Sequence, residues 1–157
     1  MAKALGKKRI IKYAIVFILI LIVTVFIFCN SLVGIDKSCG ASNTVSDIIL
    51  PKQYSNIKTV LLIVRKAAHL FEYAILGVAV TILSKFVEKD FHRKMYSMSL
   101  LYAILVAVLD EHIQNFSGRT SSTSDILLDF FGAIIGMFSV ILVTWFFRRL
   151  NKNNELN

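Results

Sequence analysis

The sequence is poor in the features that mark small soluble or secreted proteins. In 157 residues it has one proline, Pro51, and two cysteines, Cys29 and Cys39. Two cysteines ten apart do not establish a disulfide, and a bridge or two unpaired thiols are both open. No internal repeat is evident. The net charge is +8, yet the basic residues form no patch with interleaved aromatics, which argues against a nucleic-acid partner. They stand at the ends of apolar blocks, where topology and headgroup contact require them. No small-x-small site follows the first apolar block, so an uncleaved signal anchor is expected rather than a signal peptide. Phe28 precedes Cys29, at a position where lipoprotein processing wants a small residue. Also missing are the short patterned apolar runs of a soluble domain. The chain is 56% hydrophobic, its mean hydropathy is +0.68, and its apolar residues come in long blocks, which defines a polytopic membrane protein.

The blocks predict an all-α fold, an integral membrane four-helix bundle forming a single domain over residues 1–157. The spans lie roughly at 11–32, 61–86, 96–113 and 125–147. The polar segment 33–56 holds the one proline and is expected to be irregular. Ile57, Val60, Leu61 and Val64 then follow a helical period, which suggests an interfacial turn leading into the second span. A charged loop is expected from Lys85 to Lys94. In the third span Ala103, Ala107, Asp110 and Gln114 share a face, and in the fourth Asp125, Asp129, Gly132 and Gly136 do so. Gly132 and Gly136 form a small-xxx-small step that lets helices approach closely. Ser121, Ser122, Thr123 and Ser124 are expected to cap the fourth helix, with Ser124 or Thr123 taking up free N–H groups.

Orientation follows from the basic residues. Five Lys/Arg lie in the N-terminal segment from Met1 to Lys12, four in the Lys85–Lys94 loop, and three close the chain. The positive-inside rule then places both termini in the cytoplasm of a multi-pass cell-membrane protein. The polar start of span two, the polar end of span three and the polar start of span four would meet in the outer leaflet. The expectation is a carboxylate-rich pocket facing outward.

The residues of that pocket carry chemistry. The segment Asp110 to Gly136 holds Asp110, Glu111, Asp125 and Asp129, with His112, Gln114 and Arg119. An ionisable group in a membrane helix costs roughly 2.5–3.5 kcal/mol at the helix centre, so these must be paired, wetted or used. On the second span Lys66, His69 and Tyr73 share one face, and Glu72 lies within reach of His69. Five acids (Glu72, Asp110, Glu111, Asp125, Asp129) face three bases (Arg65, Lys66, Arg119). The surplus asks for a cation, bound protons or a cationic ligand.

Taken together, Lys66-xx-His69-xxx-Tyr73, then Asp110-Glu111-xx-Gln114, then Gly118-Arg119, then Asp125-xxx-Asp129-xx-Gly132-xxx-Gly136 resembles the VanZ-like membrane protein family. Ser117 departs from the pattern, since relatives often have proline there, and this bears on the rigidity of the loop. The resemblance implies a small bacterial membrane protein associated with glycopeptide resistance, teicoplanin especially.

Three functional readings fit the residues. In the first, a lipid-linked substrate undergoes metal-assisted phosphoryl transfer or hydrolysis. Asp125 and Asp129 could hold a divalent cation, with Asp110 or Glu111 adding oxygen. His69, Glu72, Asp110 and Glu111 are the acid–base candidates. Lys66, Tyr73, Gln114 and Arg119 are the ligand-binding candidates, with Arg119 suited to a phosphate. No nucleophile motif is recognisable. In the second, the pocket binds a membrane lipid headgroup, a cell-wall precursor or the glycopeptide without chemistry. In the third, buried acids relay protons for lipid transport, which four spans serve poorly unless the chain forms a homodimer. Against all three stands a structural ion network that fixes helix register.

Overall fold

The computed structural model describes residues 2–32, 57–116 and 122–154. Among these residues every element is a helix: α1 (Ala2–Leu32), α2 (Ile57–Phe91), α3 (Tyr96–Phe116) and α4 (Thr123–Asn154). Each contains a stretch long and apolar enough to cross a membrane. The 21 residues of α3 reach about 31 Å at about 1.5 Å per residue, close to the thickness of a hydrocarbon core. The 35 residues of α2 reach about 52 Å and extend beyond such a core.

The helices alternate in direction. Thr24 meets Tyr102 and Ser31 meets Asp110, so α1 and α3 run together. Tyr13 meets Asp90 and Asn30 meets Glu72, so α2 runs against α1. Lys66 meets Asp125, and Gly77 lies against Ala133, so α4 follows α2. Helix α2 touches all three others, whereas α1 and α4 do not touch among the described residues. The cross-section is therefore a rhombus with α2 and α3 on its short diagonal.

The α2–α4 seam is the closest in the bundle. A Cβ built on Gly132 would collide with the Leu70 carbonyl, and one on Gly136 with the Ala74 carbonyl. Gly77 stands in the same relation to Ala133 from the other side. Small residues give this seam its depth, because lipid supplies no hydrophobic drive for helices to associate.

Polarity is sorted as a bilayer demands. Large apolar side chains such as Phe17, Ile22, Phe71, Leu105, Phe131 and Phe138 point outward. Buried inside are polar groups, among them Ser31, Thr81, Ser84 and Ser99. Ser84 and Ser99 bond each other at 2.6 Å across α2 and α3, so neither hydroxyl faces hydrocarbon unsatisfied.

Three local expectations are corrected. The stretch from Ile57 is continuous with the second span and forms no separate turn. The charged segment from Lys85 is helical as far as Phe91, because nothing in it breaks a helix. The chain turns at His92, whose φ of 56° places it in the left-handed region. Its N–H bonds the Glu88 carbonyl at 3.0 Å, which closes the helix as a C-terminal cap. Within the expected group 121–124 it is Ser122, in place of Thr123 or Ser124, that caps α4 and takes up the free N–H groups. Its carbonyl accepts from Asp125 N at 2.9 Å, and its hydroxyl accepts from Ser124 N at 3.3 Å.

At the end of the bundle nearest the chain termini, Asp90 collects cations. Tyr13 donates to it at 3.0 Å, and Arg9 and Lys12 approach it at 3.6 Å each. Lys12 also lies over the Phe86 ring at 3.7 Å. Tyr96 donates to Glu88, and Lys85 pairs with the same carboxylate at 3.7 Å.

Candidate functional site

The opposite end is built from the last turn of α1, the first half of α2, the last two turns of α3 and the first two turns of α4. The 3.6-residue period accounts for α3. Ala103, Ala107, Asp110 and Gln114 are all buried, as their spacing predicts, and Glu111 is buried beside them. The bundle thus encloses acidic side chains along a face whose lower part is alanine.

Asp110 is fully buried, at 0% exposure. Its Oδ1 accepts from Ser31 Oγ at 2.5 Å and its Oδ2 from Gln114 Nε2 at 3.0 Å. Gln114 in turn accepts from Arg65 Nη2 at 3.4 Å, which links the buried carboxylate to a cation nearer the surface. His69 Nδ1 lies 4.0 Å from Asp110 Oδ2 and 3.9 Å from Glu72 Oε2. Glu72 also accepts from Asn30 Nδ2 at 2.7 Å. The i, i+3 relation of His69 and Glu72 is therefore realised, and α1 joins it from outside.

Glu111 ties α3 to the start of α4. Its Oε1 accepts from the Ser122 backbone N–H, while its Oε2 is buried without a hydrogen-bond partner among the described residues. One carboxylate oxygen thus helps to order the N-terminus of α4, which is also where an anion is favoured.

Asp125 and Asp129 go separate ways. Asp125 sits toward the rim and pairs with Lys66 at 2.5 Å; the Lys66 side chain is 52% exposed. Asp129, one turn further in, is 2% exposed. Among the described residues it makes no ion pair. It lies instead beside His69 and Asp110, with one ligand atom from each of the three within 4.8 Å of the others. Tyr73, one turn on from His69 along α2 and against Gly132 of α4, is at 0% exposure, and its hydroxyl has no hydrogen-bond partner among the described residues.

Of the predicted residues, His69, Glu72, Tyr73, Asp110, Glu111, Gln114 and Asp129 are drawn into one buried region. Lys66 and Asp125 form its rim. Arg119, Cys39 and the segment 33–56 lie outside the described residues, whereas Cys29 is an exposed free thiol. Sequence reasoning missed Asn30 and Ser31. Their signal was two polar residues closing an otherwise apolar block. Ser122 was missed as a ligand of Glu111, since a backbone donor has no signature in sequence. A cavity of about 320 Å³ lies away from these residues, toward the chain termini. It is apolar, lined by Phe17, Ile20, Val80, Leu83, Met98 and Tyr102 among others.

Against known proteins, no curated protein and no solved structure matches the chain. The family model for VanZ/LLP1 matches residues 16–146, which takes in part of α1, all of α2 and α3 and most of α4. The match covers every described residue of the buried polar region, so this multi-pass membrane protein belongs to the VanZ/LLP1 family, a family linked to glycopeptide resistance.

Proposed function

We propose that the buried polar end engages a lipid-linked or cell-wall component at the outer leaflet, and that this engagement contributes to glycopeptide resistance. The observation that carries the reading is the concentration of carboxylates. Glu72, Asp110, Glu111 and Asp129 come together from three helices, while Lys66 pairs with Asp125 at the rim and Arg65 reaches Gln114, so acids outnumber the bases near them. A purely structural network would balance its charges, because a buried ion without a counter-charge is costly. An acid-rich interior is suited to a ligand that brings positive charge or hydroxyl donors.

Orientation rests on the basic residues. Arg9, Lys12, Lys85, Lys94 and Arg148 gather at the end near the termini, and basic residues favour the cytoplasmic side. Both termini are then cytoplasmic and the acid-rich end faces out. In a Cys29→Ser, Cys39→Ser background, a cysteine replacing Thr123 should react with an impermeant maleimide from outside the cell. One replacing Lys94 should react only after permeabilisation, and the reverse pattern would overturn the orientation.

Binding and chemistry separate on product. Lipid and cell-wall precursor pools are compared in cells carrying wild type and Asp129→Asn at equal abundance. A species present only with wild type makes the site catalytic or lipid-moving. Identical pools with resistance lost in the variant make it a binding site. Full resistance in the variant would end the proposal that this region is the working site.

A further inference from the structure

We infer that His69, Asp110 and Asp129 hold one divalent first-row transition metal ion. The three residues come from α2, α3 and α4, so the ion would cross-link the three helices that line the polar end. The inference deepens the proposed function, since it rests on that polar end being the working site, and it moves the cation one helical turn inward from the Asp125–Asp129 pair that spacing suggests.

Geometry comes first. One ligand atom from each residue lies within 4.8 Å of the other two, and His69 Nδ1 is 4.0 Å from Asp110 Oδ2. Tetrahedral bonds of about 2.0–2.2 Å place ligand atoms about 3.3–3.6 Å apart. Binding would draw the three ligand atoms closer together than they stand in the structure.

Charge is the second argument. Asp129 is buried with no ion pair among the described residues, next to a second buried carboxylate. Two carboxylates and one neutral imidazole around a divalent ion sum to zero. The same ion would answer the surplus of acid in this region.

The third observation is independent of the cluster. The Tyr73 hydroxyl is buried and unpartnered among the described residues. Tyr73 stands one helical turn from His69 on the same face of α2, and its Cβ lies against Gly132 of α4, one turn on from Asp129. A phenol kept dry beside a metal site is placed to donate to an oxygen ligand carried by the ion. Without such an acceptor a buried donor of this kind costs about 1–3 kcal/mol.

The donor set selects the metal class. One imidazole nitrogen with two carboxylate oxygens suits zinc or manganese. Calcium prefers six to eight oxygens, and magnesium keeps most of its waters. No thiolate lies in the cluster, so the site lacks the soft ligands favoured by copper(I).

The test uses the full chain in lipid nanodiscs, stripped with chelator and titrated separately with manganese(II) chloride and zinc chloride. Bound metal is counted by elemental mass spectrometry, and free manganese is followed by its electron paramagnetic resonance signal. Wild type should retain one ion per chain. Asp129→Asn, which keeps side-chain shape, should bind at least about tenfold more weakly, with helix content unchanged by circular dichroism. Asp125→Asn should bind as wild type does. No saturable binding to wild type, or binding equally weakened by Asp125→Asn, overturns the assignment. Resistance is scored on the same variants in cells. No metal but lost resistance in Asp129→Asn removes the metal and leaves the proposed function standing. Bound metal with full resistance in Asp129→Asn does the opposite.

Discussion

The two ends of the bundle use the same side-chain types to opposite effect. Near the termini one carboxylate, Asp90, is shared by Arg9, Lys12 and Tyr13, and the groups lie close to solvent. At the other end several carboxylates crowd together out of solvent, and the fixed cation nearest the rim, Lys66, is already paired with Asp125. Excess base around a few acids, here Asp90 and Glu88, anchors a helix bundle among headgroups. Excess acid inside a bundle stabilises nothing by itself, because burial raises the cost of each charge. The first arrangement holds the fold together, and the second, on the function proposed above, spends folding free energy on a site.

The largest effect expected is one that removes both ends at once. Gly136→Leu would drive a side chain into the Ala74 carbonyl and part α2 from α4. Folded protein should fail to accumulate, as read by detergent-extracted yield and gel filtration. Next is Asp110→Ala. It leaves the donors of Ser31 and Gln114 without their acceptor, at about 1–3 kcal/mol for each buried group stranded. The melting temperature should fall clearly and resistance should vanish with it.

Asp129→Asn sharpens the comparison, because it should separate stability from function. The carboxylate it replaces has no counter-ion among the described residues, so neutralising it should hold or raise the melting temperature of metal-free protein while abolishing resistance. A parallel drop in both would make Asp129 a structural residue. The rim pair comes lower: Lys66→Met should cost at most about 1 kcal/mol, as exposed ion pairs do, measured by thermal melting in nanodiscs. Smallest is Asp90→Asn at the other end. It should lower the melting temperature slightly and leave resistance intact at matched abundance. Loss of resistance there would mean that the two ends are not divided as argued.

Much of the fold was readable along the chain. The apolar blocks announced four spans because a bilayer accepts little else at that length. The α3 face of Ala103, Ala107, Asp110 and Gln114 followed from period alone, as did the closeness of Gly132 and Gly136 to a neighbour. Other features were not readable. Asn30 and Ser31 belong to the site only because α1 runs parallel to α3 and ends beside Asp110 and Glu72. Spacing put Asp125 and Asp129 on one face, but it could not show that one turn, about 6 Å along the axis, separates a rim residue from a buried one. The extent of α2 was also hidden, since charge at Lys85–Asp90 looks like a loop in sequence but sits comfortably on a helix that emerges from the membrane.

By itself the sequence determined which segments cross the membrane and which residues each helix face presents, because both follow from the length of apolar runs and the helical repeat. Only the tertiary structure decided which acids share a space. Partner choice among Lys66, His69, Asp110, Asp125 and Asp129 depends on the depth and crossing of four helices, and that is set by how closely glycine lets α2 and α4 pack.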